Sequence, residues 1–201
     1  MYVGRFQDGF RSGTGTLYTE AGGSIIYRGS WLNGLFHGEG LCIERKHQDL
    51  TIEYEGEFFN GHRHGYGTLK NSNEDGVICK GYWHRDEPMN GKWRITWPDS
   101  RVYSGEVKVV EEELGNVSKK EVWTTFPESD VPPMPLNFEI VTPLPHGFGA
   151  MRYENGDIHI GNFEDGVRKG HGSFFVNGEQ IQGNWNGDQI IVPTNDNDSV
   201  P

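Results

Sequence analysis

Apolar and glycine positions along this chain fall into a frame that recurs. In Tyr54–Gly67, which reads YEGEFFNGHRHGYG, an aromatic or a glycine stands at Tyr54, Gly56, Phe58, Gly61, Gly65 and Gly67, with polar or adaptable residues between them. A spacing of two puts Tyr54, Gly56 and Phe58 on one face of a strand and Glu55 and Glu57 on the other. The next strand alternates likewise, with Gly65, Gly67 and Leu69 on one face and Tyr66, Thr68 and Lys70 on the other. Each such unit reads as a hairpin with one aromatic–glycine face and one mostly polar face. Asp8-Gly9, Asn33-Gly34, Asn60-Gly61 and Asp165-Gly166 mark one end of the hairpins; Asp75-Gly76, Asn155-Gly156 and Asn177-Gly178 mark the other. Such pairs accept positive φ and are strong hairpin signals.

The frame returns at Tyr2-Gly4-Phe6-Gly9-Gly13-Gly15, at Tyr27-Gly29-Trp31-Gly34-Gly38-Gly40, and at Gly161-Phe163-Gly166-Gly170-Gly172 with His159 in the leading aromatic slot. Worn copies begin at Cys79-Gly81-Trp83, at Tyr103-Gly105-Val107 and at Ile181-Gly183-Trp185. After each clear Gly-x-Gly pair an apolar residue follows: Leu17, Cys42, Leu69, Met151 and Phe174. A fixed period of this length predicts stacked units that bury their faces against neighbours. Glycine in a strand interior normally weakens it. Here it is expected to leave room for aromatic rings from adjacent strands to lie flat over bare backbone.

This frame resembles the MORN repeat (membrane occupation and recognition nexus), over nearly the whole chain apart from about 111–145 and the C-terminal tail. The fold expected is all-β: an elongated, single-layer, twisted antiparallel sheet of stacked hairpins with an aromatic–glycine groove. With two strands per unit at about 4.8 Å each, seven units would span roughly 65 Å. Residues 1–110 hold units one to four and the start of unit five, 111–145 an acidic and proline-rich insertion, 146–192 the remaining units, and 193–201 a frayed tail. The groove expected to receive a partner is lined by Tyr2, Phe6, Tyr27, Trp31, Tyr54, Phe58, Trp83, Tyr103, Phe163 and Trp185. A contact patch in the loops is drawn from Phe10, Leu35 and Phe36, with local plugging as the alternative.

Two regions depart from the frame. Pro88 interrupts unit four, after which Trp93, Ile95 and Trp97 alternate onto one face, read as thicker packing in place of lost glycines. The insertion opens with Glu111, Glu112 and Glu113, and Pro127, Pro132, Pro133, Pro135, Pro143 and Pro145 argue against regular ladders there. It is expected to drape over the sheet through Trp123, Phe126 and Phe138, to dock a partner, or to stay disordered. Ile190–Val192 would add a closing strand.

Charge and composition narrow the chemistry. The net charge of −11 disfavours nucleic acid and, on average, acidic membranes. Cys42 and Cys79 read as small buried thiols. His37, His64, His146 and His171 sit at or beside Gly-x-Gly pairs, but unit spacing keeps those of adjacent units too far apart to share a metal. No metal, cofactor or catalytic set is expected, and the repeats leave no room for the lipid-kinase or methyltransferase domain that some family members carry. With no signal peptide before the first unit, the expected location is cytoplasmic.

The resemblance implies a non-enzymatic scaffold or protein-interaction module at the cytoskeleton, cilium or flagellum, with protein partners and with homodimerisation through edge strands or the groove left open. A second expectation is a peripheral phosphoinositide binder whose basic rim would hold Arg63, Arg168 and Lys169. A third is a regulatory module or fragment of a lipid kinase.

Overall fold

The computed structural model describes residues 1–19, 23–47, 50–72, 76–109 and 143–191. The insertion's Trp123, Phe126 and Phe138, its acidic opening, Asp75 and the tail from residue 192 lie outside the described residues.

The described residues fold as one antiparallel sheet of fifteen strands. They are β1 Tyr2–Gln7, β2 Phe10–Tyr18, β3 Ile25–Leu32, β4 Leu35–His47, β5 Leu50–Phe59, β6 His62–Asn71, β7 Ile78–His84 and β8 Glu87–Pro88. Then come β9 Gly91–Thr96, β10 Val102–Lys108, β11 Leu144–Arg152, β12 Ile158–Glu164, β13 Val167–Val176, β14 Glu179–Asn186 and β15 Gln189–Ile191. Order in the sheet follows order in the chain, except that β8 is a short arm on β7 and β9 takes the next place. The hairpins expected from the frame are the units of the sheet, and the closing strand after Gly187 is β15.

Turn chemistry makes the hairpins. Asp8, Asn33, Asn60, Asp165 and Asn177 all have φ between 47° and 51°, and the glycine after each is also left-handed. This is the two-residue turn whose twist matches that of the flanking strands. Unit four makes the same turn without glycine, at Arg85 (φ 49°) and Asp86 (φ 70°).

The two glycines of each Gly-x-Gly do different jobs. The first, as at Gly65 with φ 57°, sits where the register slips, since Gly56 pairs with Gly67 but Phe58 with Arg63. The second faces a glycine across the ladder: Gly15 opposite Gly4, Gly40 opposite Gly29, Gly67 opposite Gly56, Gly149 opposite Gly105 and Gly172 opposite Gly161. The leading tyrosine leans over that bare pair. A Cβ on Gly67 would lie 2.3 Å from the Tyr54 hydroxyl oxygen.

The insertion ends earlier than expected. Strand β11 begins at Leu144, and Pro145 pairs with Val107. A proline at the start of a strand costs little. Its carbonyl also accepts the Gly166 N–H at 2.8 Å from the next turn. Pro143 and Pro145 therefore belong with the sheet.

Candidate interaction surfaces

The inner face is a column of rings touching edge to face. Tyr2 meets Trp31 at 5.0 Å between centroids, Trp31 meets Tyr27 at 5.1 Å, Tyr27 meets Phe58 at 5.2 Å, Phe58 meets Tyr54 at 5.1 Å, and Tyr54 meets Trp83 at 5.6 Å. Beyond unit four the sequence resumes as Tyr103, Phe163, His159 and Trp185. Each ring contact of this kind contributes about 0.5–1.5 kcal/mol beyond area burial. The tyrosine hydroxyls are satisfied locally: Tyr27 donates to Ser30 O at 2.9 Å, Tyr54 to Glu57 O at 3.1 Å and Tyr103 to Glu106 O at 2.5 Å. Tryptophans link units, with Trp31 Nε1 donating to Gly15 O at 3.1 Å and Trp185 Nε1 to Gly172 O at 3.1 Å.

Two residues after the turn glycine of units one, two, three and six, a side chain points into this column. Phe36 stacks on Tyr27 at 3.8 Å in unit two. The same slot holds arginine elsewhere. Arg11 lies over Tyr2 and Trp31, both at 5.3 Å. Arg63 lies 4.6 Å from Trp83, and Arg168 lies 4.6 Å from Trp185 and 4.8 Å from Phe174. A planar guanidinium between rings replaces the phenyl ring and gains cation–π attraction.

In unit four the tyrosine slot holds Cys79, and the second-glycine slot holds Trp93, whose indole fills the space over Gly81. Trp93 and Ile95 are buried, and Trp97 packs half-buried beside them.

Sequence comparison agrees with this geometry. The MORN repeat model matches residues 2–24, 27–43, 54–75, 144–158 and 159–180. The chain is a MORN-repeat protein. A relative, MORN repeat-containing protein 3 of Xenopus laevis, is 35% identical over 65 residues, which are 30% of this chain and 26% of the relative. The shared stretch therefore spans about a quarter of that protein's length.

In this MORN-repeat chain the expected groove is filled by its own rings. Tyr27, Trp31, Tyr54, Phe58, Trp83, Tyr103, Phe163 and Trp185 are buried, Tyr2 is half-buried, and Phe6 is 62% exposed. Of the loop patch, Phe36 belongs to the column, whereas Phe10 is exposed with its ring against the Gly34 turn and Leu35 leans toward Gly61. The basic rim is corrected in the same way. Arg63 is 3% and Arg168 8% exposed, and Asp86 and Asp188 respectively pair with them. Buried guanidiniums cannot meet a membrane surface. Lys169 alone of the three is exposed, beside Glu164 and Asn186. Arg63 has the same parity as the inward Gly67 and Leu69, so alternation places it inward; reading it as a loop tip missed this, and alignment with Phe36 was a second available signal.

The histidines do not form one row. His37, Phe59, His64 and His84 make successive ring contacts, while His62 and His146 approach Asp86 and Asp165. Among the described residues, no three His, Cys, Asp or Glu side chains converge as metal ligands would. Burial pushes both thiols, Cys42 and Cys79, up to about 12, which keeps them protonated and unreactive. An open cleft lies at the far end of the column, lined by Arg101, Tyr153, Asn155, Phe174 and Asp188.

His159 takes the tyrosine slot of unit six without the tyrosine's hydroxyl. It is fully buried, and neither ring nitrogen has a hydrogen-bond partner. Burial, with Arg168 adding to it, holds the imidazole down at about 4 against an ordinary 6.5. The unfolded chain therefore takes up this proton first as pH falls. Stability from the neutral ring is complete above about 6.5 and drains toward 4. Between pH 7 and 4 the wild type should lose on the order of 2 kcal/mol more than His159→Phe, read from urea midpoints at each pH. His159→Tyr should also remove this extra loss and add about 1 kcal/mol through a bond to a backbone carbonyl.

Proposed function

We propose that this MORN-repeat chain is a non-catalytic scaffold that holds protein partners at a cytoskeletal structure, a cilium or flagellum included. The observation that carries the reading is the way units are locked in register. Beyond the ladder and the tryptophan links, a turn amide donates to the neighbouring unit: Gly34 N to Arg11 O, Gly61 N to Phe36 O, Asp86 N to Arg63 O and Gly187 N to Arg168 O, at 2.9–3.0 Å. A stack stapled at ring, ladder and turn is a stiff platform of fixed spacing. That suits presenting several contact points along one line, and it leaves the inner rings to hold the platform together. Partner contact then falls to the outer face and the exposed turn residues, Phe10 among them.

Fractionation of source cells through detergent and then high salt tests the proposal. The protein should stay with the detergent-insoluble cytoskeleton, and crosslinking in that pellet should capture its partner. Release into the detergent fraction with membranes would overturn it. The competing reading, a phosphoinositide binder, keeps only Lys169 of its three contacts on the surface. Flotation with phosphoinositide vesicles at physiological salt would revive it; no flotation is expected.

A further inference from the structure

The outer face of the central strands breaks a rule of sheet design twice, with opposite signs. Like charges directly opposite each other across a ladder are destabilising. Yet Glu57 on β5 stands opposite Glu39 on β4, and Lys80 on β7 stands opposite Arg94 on β9. Glu53 and Glu55 extend the acidic stripe along β5, and Lys92 extends the basic one along β9. None of these side chains forms an ion pair among the described residues, and all but the half-buried Glu53 are exposed. Between the stripes Tyr66 and Tyr82 face each other across β6 and β7, 42% and 57% exposed, with ring centroids 5.1 Å apart. Compensation within the chain is partial: Lys70 stands opposite Glu53, Glu106 opposite Lys92, and Lys80 lies over the Tyr66 ring at 5.5 Å, while the two like-charged pairs remain. Local rules broken side by side in this way mark a surface whose remaining compensation comes from elsewhere.

We propose that this face is a dimer interface between two copies of the chain, related by a two-fold axis that runs parallel to the strands between β6 and β7. The register fixes what would meet. Glu55, Thr68, Lys80 and Arg94 lie in one transverse row. Glu57, Tyr66 and Tyr82 lie in the next, with the Tyr66 N–H donating to Glu57 Oε1 at 3.1 Å, and Lys92, two residues from Arg94 on the same face of β9, continues that row. The two-fold lays β5 over β9 of the second copy and β6 over its β7. Glu55 then faces Arg94 of the second copy, Glu57 faces its Lys92, and Tyr66 faces its Tyr82, while Glu39, one strand further out, falls at the rim over β10 of the second copy, which carries Glu106. Every contact occurs twice, as an isologous interface requires.

Distances favour pairing between copies over pairing within one. Strands β5 and β9 are three ladder spacings apart, about 14 Å, whereas packed sheet faces lie about 10 Å apart. A long glutamate and a long arginine bridge the second gap and not the first. A separate, purely acidic partner fits worse. It would match Lys80 and Arg94 but meet the carboxylates of β5 two strands away, about 10 Å, within a Debye length. Only a surface carrying both signs in reverse order fits, and symmetry gives a second copy that order.

Sedimentation velocity on the full chain at low salt, across micromolar concentrations, is the test. Wild type should dimerise. Glu55→Arg alone and Arg94→Glu alone should each weaken the dimer at least about tenfold, because each sets like charges face to face twice. The double reversal, Glu55→Arg with Arg94→Glu, should restore it. Circular dichroism checks the fold, and Tyr82→Ser, which changes no charge, should weaken the dimer independently. A monomeric wild type would overturn the proposal. So would a dimer indifferent to Arg94→Glu, or a double reversal as weak as the single ones. A monomer that binds polyglutamate through Lys80 and Arg94 would also overturn it, in favour of an acidic partner.

Discussion

Asp86→Ala should destabilise the protein by about 3 kcal/mol, an effect far out of proportion to a residue in a surface turn. The cause is Arg63, which is nearly fully buried between Trp83 and Tyr54. Asp86 Oδ1 accepts Arg63 Nε at 3.2 Å and the Arg63 backbone N–H at 2.8 Å, while Asp86 O accepts Nη2 at 2.6 Å. Oδ2 lies 2.6 Å from His62 Nδ1. Burial works against the charge on Arg63, and the carboxylate offsets that. Removing it leaves a desolvated cation without its main counter-charge. The same carboxylate explains why a non-glycine with φ 70° persists in this turn where other units place glycine.

Two further variants isolate that cause in urea unfolding. Arg63→Met with Asp86→Gly exchanges the buried pair for an apolar chain and an unstrained turn, and should end within about 1 kcal/mol of wild type. Asp188→Ala is the control. Asp188 pairs with Arg168 as Asp86 does with Arg63, but its side chain is 98% exposed and screened by water. Its loss should cost less than about 1 kcal/mol. Equal losses for Asp86 and Asp188 would mean that burial of the pair is not what sets the cost.

Much of this architecture is legible in the sequence because it rests on local rules. Asx-Gly pairs specify the turns, and alternation specifies which face each ring takes. The exchange in unit four could be read as well, since Trp93 and Ile95 alternate where glycine and leucine stand elsewhere. What alternation could not carry is the slip in register at the first glycine of each pair. Counting by twos across Gly65 carries Arg63 onto the face of Gly67 and Leu69, beside Tyr54; reading His62-Arg63-His64 as a solvated loop tip hid this. Groove aromatics were read correctly as one face but not as a filled one. Whether rings face a partner or each other depends on how closely neighbouring units approach, and that is set by the bare glycine pairs beneath them. The like-charged pairs Glu39–Glu57 and Lys80–Arg94 needed the register too, because they are distant in sequence and meet only across ladders.

Gly56→Ala should cost about 3 kcal/mol, although it adds one methyl group in an ordinary extended backbone. The added Cβ would lie 2.5 Å from Gly67 Cα and 2.6 Å from Tyr66 O. Both are backbone atoms of the neighbouring strand, so no rotamer relieves the contact; the ladder itself must open. Gly67→Ala collides instead with the Tyr54 ring, at 2.3–2.6 Å. That clash is relieved by removing the ring. Tyr54→Val should therefore make Gly67→Ala cheaper and leave the cost of Gly56→Ala largely unchanged. A double-mutant cycle in urea reads this as coupling of about 1–2 kcal/mol for the first pair and much less for the second. Gly65→Ala supplies the contrast of kind. Its cost comes from φ 57° and a mobile Glu57 carboxylate, and should stay near about 1 kcal/mol. Unit four already carries the compensated exchange. Cys79 replaces the tyrosine, and Trp93 takes the second-glycine place with its indole over Gly81. The volume moves from one strand to its neighbour and the column stays full. If Tyr54→Val failed to relieve Gly67→Ala, the glycine pair would be serving backbone dihedrals rather than space, and the exchange in unit four would lose its explanation.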